Sequence, residues 1–163
     1  MKKISSVGPG AAPHRGQLNQ AVRESLRDLS IQMSLLSNRI GGHLDLKGTD
    51  LECLDLIDRY GPLSPSALAR RAALHPATMT GLLDRLERGG WITRERDPSD
   101  RRVVLVQPVP SRRAEVLRLA SGMNAAMAQI CAGYQDDELE AIASFLRRTA
   151  DAGRTAAEEL DAS

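Results

Sequence analysis

The sequence predicts a mainly α-helical protein with a single small β-hairpin. Aromatic residues make up only 2% of the 163 residues, so the core must consist of aliphatic side chains, which favours helices packed on helices. Apolar residues recur at spacings of three and four along most of the chain, as on one face of a helix. That spacing gives way to the β-branched pattern of strands once, within residues 91–106.

The first helix is predicted to follow a flexible tail. Residues 1–16 are rich in glycine and proline and too poor in apolar side chains to repay the entropy of ordering. From Gln17 an apolar stripe follows one helical face for several turns, and Gly41 and Gly42 are expected to end it. Its members are Leu18, Val22, Leu26, Leu29, Met33, Leu36 and Ile40.

Three shorter helices are predicted next. Thr49 and Glu52 have the spacing of a capping box and indicate the start of a second helix, which stops at Gly61. Two further helices, at about 65–73 and 76–88, each begin with a proline, which suits the first helical turn. Only a few residues link these two helices, so the turn between them must be tight.

A β-hairpin is predicted after the fourth helix. Residues 91–96 and 103–106 are strand-like runs, and residues 97–100 between them have the composition of a turn. Pro108 and Pro110 are expected to close the hairpin, because proline cannot continue a ladder of hydrogen bonds.

Two more helices complete the chain. Ser111 can cap the fifth, whose stripe runs from Val116 to Ile130, and an acidic sixth helix spans about 136–160. The stripes on the first, fifth and sixth helices exceed what a small lobe can cover, so they predict a partner chain. The predicted organisation is a flexible tail (1–16), an N-terminal helix for dimerisation (17–44), a central domain (45–110) and a C-terminal helical dimerisation region (111–163).

Composition and charge narrow the possible functions. The chain has no apolar run of the length a membrane span needs, which predicts a cytoplasmic protein with no membrane partner. No catalytic grouping, cofactor loop or metal-ligand spacing is evident, so neither an enzyme nor a cofactor nor a metal site is expected. Residues 62–113 carry ten arginines and five acidic residues, a net charge of +5, which leaves −4 on the rest of the chain. A basic centre between acidic helices is typical of a nucleic-acid-binding protein with a separate assembly region.

The order of elements, two short helices joined by a tight turn and followed by a hairpin, is that of a winged helix-turn-helix. The fourth helix would then enter the DNA major groove, where its N-terminal residues reach the bases, and Arg85 would face a phosphate. His75 has an alternative role as a cap, and the threonines could be ordinary surface residues. The candidate DNA-binding residues are His75, Pro76, Ala77, Thr78, Thr80, Gly81, Arg85, Arg94, Arg96, Asp100, Arg101 and Arg102.

The hairpin tip provides the second predicted contact with DNA. Arg101 and Arg102 place two guanidinium groups on an exposed loop, where arginine can enter a narrow minor groove. We expect Asp100 to accept a hydrogen bond from an arginine or a turn amide and so to fix the loop before DNA binds. The alternative is a generic polar turn.

These motifs resemble the DNA-binding core of the MarR (multiple antibiotic resistance regulator) family over residues 44–106. The resemblance is carried by residues 80–87 of the fourth helix, by 90–94 leading into the hairpin, and above all by Asp100 and Arg102, which match the family's Asp-x-Arg wing signature. The segment 108–111 departs from the family, which usually has a Leu-Thr-x-x-Gly turn there.

The resemblance implies a homodimeric transcriptional regulator, most often a repressor, that binds double-stranded DNA at a pseudo-palindromic operator. Many members respond to a small phenolic or lipophilic effector that binds beside the dimerisation region. By analogy, the residues expected to line such a cleft are Met33, Asn38, Arg39, His43, Cys53 and Ile57.

Two alternatives to an effector-controlled regulator remain at this point. A winged helix can serve protein–protein contact alone, but this use predicts a neutral fourth helix and hairpin, in contrast to the +5 segment. A redox-sensing regulator would switch through Cys53 or Cys131, although both cysteines lie in apolar helical contexts that favour inert thiols.

Overall fold

A computed structural model of the chain describes residues 11–161 and confirms a mainly α-helical fold with one hairpin. The chain divides between Val116 and Leu117 into two compact units. Its elements in order are α1 (Ala11–Leu44), α2 (Gly48–Tyr60), α3 (Pro65–Arg71), α4 (Pro76–Arg88), β1 (Ile92–Arg96), β2 (Val104–Pro108), α5 (Pro110–Cys131) and α6 (Asp136–Asp161). No helix among the described residues is long and apolar enough to cross a membrane.

One aliphatic core holds α2, α3, α4 and the hairpin together in the first unit. The predicted inner face of α4 is buried, and it meets Leu68 and Ala69 of α3 as the sequence predicted. The most completely buried apolar side chains are Cys53, Ile57, Leu68, Met79, Leu83, Leu86, Ile92 and Val106. Because burying each large aliphatic side chain is worth about 1.5–3 kcal/mol, this cluster fixes the position of α4.

Three helices end in the same way, with one residue in the left-handed region and the next amide bonded to the carbonyl five residues earlier. Asp45 (φ 56°) ends α1, Ala73 (φ 51°) ends α3 and Gly90 (φ 69°) ends α4. The prediction that Gly41 and Gly42 end α1 was therefore wrong. A Cβ at Gly41 would lie 2.5 Å from the Leu46 carbonyl oxygen, so this glycine permits a close approach of the chain rather than a turn.

The helix starts also differ from the prediction. α1 already begins at Ala11, so residues 11–16 are helical and not a tail, whereas residues 1–10 of the predicted tail lie outside the described residues. α2 is capped at Lys47, whose amide donates to the Asp50 carboxylate over 2.9 Å, so the predicted box of Thr49 and Glu52 was wrong. α5 starts at Pro110, which places Ser111 inside the helix rather than at its cap.

The hairpin is a two-stranded antiparallel sheet in which Arg94 lies opposite Val106. Leu63, just before α3, also pairs with Val106, and two backbone hydrogen bonds of 2.8 and 3.3 Å join them. This bridge ties the hairpin to the linker between α2 and α3. The hairpin therefore projects from the same core that carries α4.

The second unit contains the rest of α5 together with α6. Among the described residues, α5 has no buried side chain, and apolar residues of both helices are exposed. The large exposed ones are Leu117, Met127, Ile130, Ile142, Phe145, Leu146 and Leu160. These two helices therefore leave apolar surface uncovered.

Candidate nucleic-acid interface

The N-terminus of α4 presents small and hydroxylated side chains to solvent. His75 is the N-cap, and its Nδ1 accepts a hydrogen bond of 3.3 Å from the Ala77 amide, so the capping role considered for this histidine is present. Ala77, Thr78 and Gly81 are exposed on the face opposite the core. This face offers a smooth surface that another molecule can approach closely.

The two threonines of α4 differ in their hydrogen bonding. The Thr80 hydroxyl donates to the Pro76 carbonyl over 3.0 Å, so its proton is engaged within the helix and its oxygen remains an acceptor. Thr78 makes no side-chain hydrogen bond among the described residues, and its hydroxyl can both donate and accept.

Arg85 is held by a buried carboxylate. Its Nη2 pairs with Oδ1 of Asp50, and its Nε donates to Oδ2 over 3.3 Å. The Asp50 side chain is 1% exposed and that of Arg85 is 41% exposed, so the guanidinium spans from the core to the surface. The hydrogen bond to Asp50 raises the pKa of Arg85, because it stabilises the charged form. Arg85 thus joins α4 to the first turn of α2.

Arg94 ties the hairpin to α4. Its Nη2 donates to the Asp84 carboxylate over 2.6 Å, and its Nε lies 3.4 Å from a Glu87 carboxylate oxygen. Both acids belong to α4 and flank Arg85 in sequence. Two carboxylates of α4 thus share one guanidinium of the hairpin, which adds a polar contact to the apolar packing between these elements.

Hydrogen bonds within the loop fix the hairpin tip. Asp100 accepts one of 3.0 Å from the Arg102 amide, which confirms the expected role of this aspartate. Asp97 accepts from the amide and hydroxyl of Ser99 at 2.8 and 2.6 Å, and these bonds lower the pKa of Asp97. Arg96 donates from Nη1 to the Arg101 carbonyl over 3.0 Å. The loop is therefore ordered by its own acids and by Arg96.

Arg101 and Arg102 differ from the other candidate arginines. Both are exposed, and neither guanidinium has an ion pair or hydrogen bond within the described part of the chain. The three others, Arg85, Arg94 and Arg96, are engaged with protein groups. The tip arginines are thus the charges of the hairpin that are available to an external anion.

The six candidate effector residues are not equivalent in the structure. Cys53 and Ile57 are packed in the core of the first unit. Met33 is half-buried on α1, whereas Asn38, Arg39 and His43 are exposed. Their role in effector binding stays a prediction.

Cys53 has the environment of an unreactive thiol. It is 1% exposed, and burial, with Asp50 and Glu52 nearby, raises its pKa to about 11. Since the thiolate is the reactive form, this residue is protected from oxidation near neutral pH. Cys131 is a half-buried free thiol.

Sequence reasoning missed the residues that support the interface. Asp50, Asp84 and Glu87 orient two of the candidate arginines, and Arg112 of α5 stacks 4.0 Å over the Trp91 ring at the start of the hairpin. The only signal for Asp50 in the sequence was an acidic residue beside the apolar stripe of α2. An acidic residue in that position is also common on exposed helices.

A helix-turn-helix with a basic hairpin, built on one core, defines the class of winged-helix DNA-binding proteins. Residues 46–104 match the sequence model of the MarR family. The chain is 31% identical to the HTH-type transcriptional regulator YcgE of Bacillus subtilis over 84% of its own length and 89% of that protein. The chain belongs to the MarR family and is a DNA-binding transcriptional regulator, not an enzyme.

Other relatives agree with this assignment. The HTH-type transcriptional repressor YetL of B. subtilis is 30% identical over 52% of the chain and 50% of that protein. A solved S. aureus MepR variant shares the fold, with a TM-score of 0.69, 18% identity and coverage of 80% of this chain and 96% of that one. Another MepR variant, solved bound to an oligodeoxyribonucleotide, has a TM-score of 0.55, 19% identity and the same coverage.

Proposed function

We propose that this regulator is a homodimeric repressor that reads a pseudo-palindromic operator. The exposed face of α4 enters the major groove, and the hairpin tip enters the adjacent minor groove. A relative named as a repressor supports the sign of regulation, and a structural neighbour bound to an oligodeoxyribonucleotide supports DNA as the target.

The observation that carries this proposal is the preorganised hairpin tip. Asp97 and Asp100 fix the loop through hydrogen bonds, while Arg101 and Arg102 keep their guanidinium groups available. A loop that is already ordered loses less entropy on binding, so the two arginines can contribute more to affinity.

Dimerisation is supported by the uncovered apolar residues of the long helices. Leu18, Val22 and Leu29 of α1 and Phe145 of α6 are exposed in the single chain. A two-fold related copy would cover such faces, and its symmetry would place half-sites about 10 base pairs apart. In this proposal residues 17–44 and 111–163 form the dimer, and residues 45–110 bind DNA.

Regulation by a small phenolic or lipophilic effector, beside Met33 and His43, is the proposed mode of control. The redox alternative through Cys53 is disfavoured, because burial keeps that thiol protonated. An effector must bind one state of the dimer more tightly, and a coupling of about 1–3 kcal/mol is typical. Titration with phenolic compounds should then lower operator affinity, and a panel without effect on affinity would argue against this control.

The decisive experiment combines DNA selection with one substitution. Purified protein should select a pseudo-palindromic sequence from random duplexes, and Arg102→Ala should weaken binding to it by at least about 1 kcal/mol at fixed salt. Arg59→Ala, on an exposed arginine of α2 outside the candidate DNA contacts and the dimerisation regions, serves as the control that leaves affinity unchanged. Unaltered affinity of the Arg102 variant would remove the hairpin from the mechanism, and selection of no sequence would refute the function.

A further inference from the structure

A groove lies between the first turn of α2 and the outer face of α4. Its volume is about 310 Å³, and its walls combine one lysine, one arginine, two threonine hydroxyls and small or apolar side chains. The lining residues, called here the α2–α4 groove, are Lys47, Thr49, Leu74, Ala77, Thr78, Gly81, Leu82 and Arg85. Lys47 and Thr49 are not among the residues for which the sequence predicted DNA contact.

The electrostatics of this groove depend on Lys47. The buried Asp50 carboxylate pairs with Arg85, so these two groups together contribute no net charge. Lys47 has an exposed side chain with no ion pair in the described part of the chain. Its ammonium is therefore the uncompensated cation of the groove, and the groove attracts an anion.

The position of the groove indicates which anion it receives. Ala77, Thr78 and Gly81 line it and also form the exposed face of α4 that the proposed function places in the major groove. A major groove about 12 Å wide holds one helix of about 10–12 Å diameter, so a phosphate strand passes on each side of the helix. The phosphate strand on the α2 side of the helix then passes into the α2–α4 groove. A Cβ built at Gly81 meets no atom within 4 Å, so the wall there leaves room for a backbone to approach.

We propose that the α2–α4 groove binds a phosphate of the DNA backbone, with Lys47 as its cation and the hydroxyls of Thr49 and Thr78 as hydrogen-bond donors. This site rests on the proposed DNA-reading function. It adds a second contact with the DNA, at the start of α2 and away from the hairpin. Phosphate contacts fix the orientation of a reading helix without reading sequence. Lys47 thus sets the register of α4 in the DNA major groove.

Removal of the lysine charge tests this proposal. Lys47→Met keeps side-chain length, and the α2 cap survives because its hydrogen bonds use the Lys47 backbone amide and carbonyl. The slope of the logarithm of the DNA association constant against the logarithm of salt concentration should become shallower by about 0.9 for each protomer that contacts DNA. This should hold for operator and random duplex alike. Lys47→Arg should restore the slope. An unchanged thermal unfolding midpoint would show that the variant folds normally.

A matched control is available at the other end of the same helix. Arg59→Met removes one exposed charge about 18 Å further along α2, beyond the screening length of about 8–10 Å, and should leave the slope unchanged. An equal loss of slope in both variants would show a general field effect and overturn the site.

Three further results separate the possible failures. If wild-type protein binds DNA and Lys47→Met keeps its slope, the phosphate site is refuted while the proposed function stands. If benzoate binds wild-type protein but not Lys47→Met, and the slope is unaltered, the groove is a pocket for small organic anions and the phosphate site is again refuted. If wild-type protein binds no duplex at all, the proposed function itself fails and the site with it.

Discussion

Replacing Asp50 by alanine should destabilise the protein by about 2.5 kcal/mol. The Asp50 carboxylate accepts the Lys47 amide at the start of α2, and loss of such a cap costs about 1 kcal/mol. Breaking a fully buried ion pair costs about 3–5 kcal/mol, and an exposed pair is worth about 0.2–1 kcal/mol. Because Arg85 is 41% exposed and can turn to water while Asp50 is 1% exposed, we place the pair between these limits, at about 1.5 kcal/mol.

A double-mutant cycle in urea, at one fixed protein concentration, measures the ion-pair part separately. Asp50→Asn keeps a side-chain oxygen for the Lys47 amide, so combining it with Arg85→Met isolates the ion pair from the cap. The coupling energy should be about 1.5 kcal/mol. A coupling below about 0.3 kcal/mol, or an alanine variant as stable as wild type, would show that the pair does not hold α4 on α2.

Three further predictions follow from backbone strain and burial. Ala73 adopts φ 51°, a conformation that costs an L-residue roughly 1–2 kcal/mol. Ala73→Gly should therefore raise the free energy of unfolding by about 0.5–1 kcal/mol, after the greater entropy of glycine in the unfolded chain is subtracted. Equal or lower stability in urea would contradict this. Cys53, with its pKa raised to about 11, should resist alkylation at pH 8 in a Cys131→Ser variant and react once urea unfolds the chain, and fast native labelling would contradict its burial. Because the folded form holds the proton more tightly, stability should also decline as pH rises from about 9 towards 11.

Features set by local sequence could be predicted well. The apolar stripe of α4 and its proline start gave the observed bounds Pro76–Arg88, and the strand pattern gave the hairpin to within two residues. Helical and strand periods are properties of neighbouring residues, so one sequence contains enough information for them. The Asp-x-Arg wing motif is equally local, and its Asp100 hydrogen bond is present.

Helix ends were harder to predict, because they depend on alternatives that lie close in energy. Gly41 and Gly42 predict a helix end, yet the left-handed residues that end α1 and α3 are Asp45 and Ala73. Neither residue type favours that conformation as strongly as glycine does. The chain accepts the strain because the next residues, Leu46 and Leu74, then pack against the core.

Ion pairs between distant parts of the chain determine how much positive charge the first unit presents to DNA. The +5 of residues 62–113 counts Arg85 and Arg113 as uncompensated, but Asp50 and Asp58 of α2, outside that segment, pair with them. Including these two acids lowers the excess from +5 to +3. Sequence counting therefore overstated the field, since it cannot reveal partners 35 or more residues away. The field that remains comes from the cations without a carboxylate partner in the described part of the chain. Arg101, Arg102 and Lys47 are among them and lie on different elements of the first unit, so the hairpin tip and the α2–α4 groove can each contribute to it.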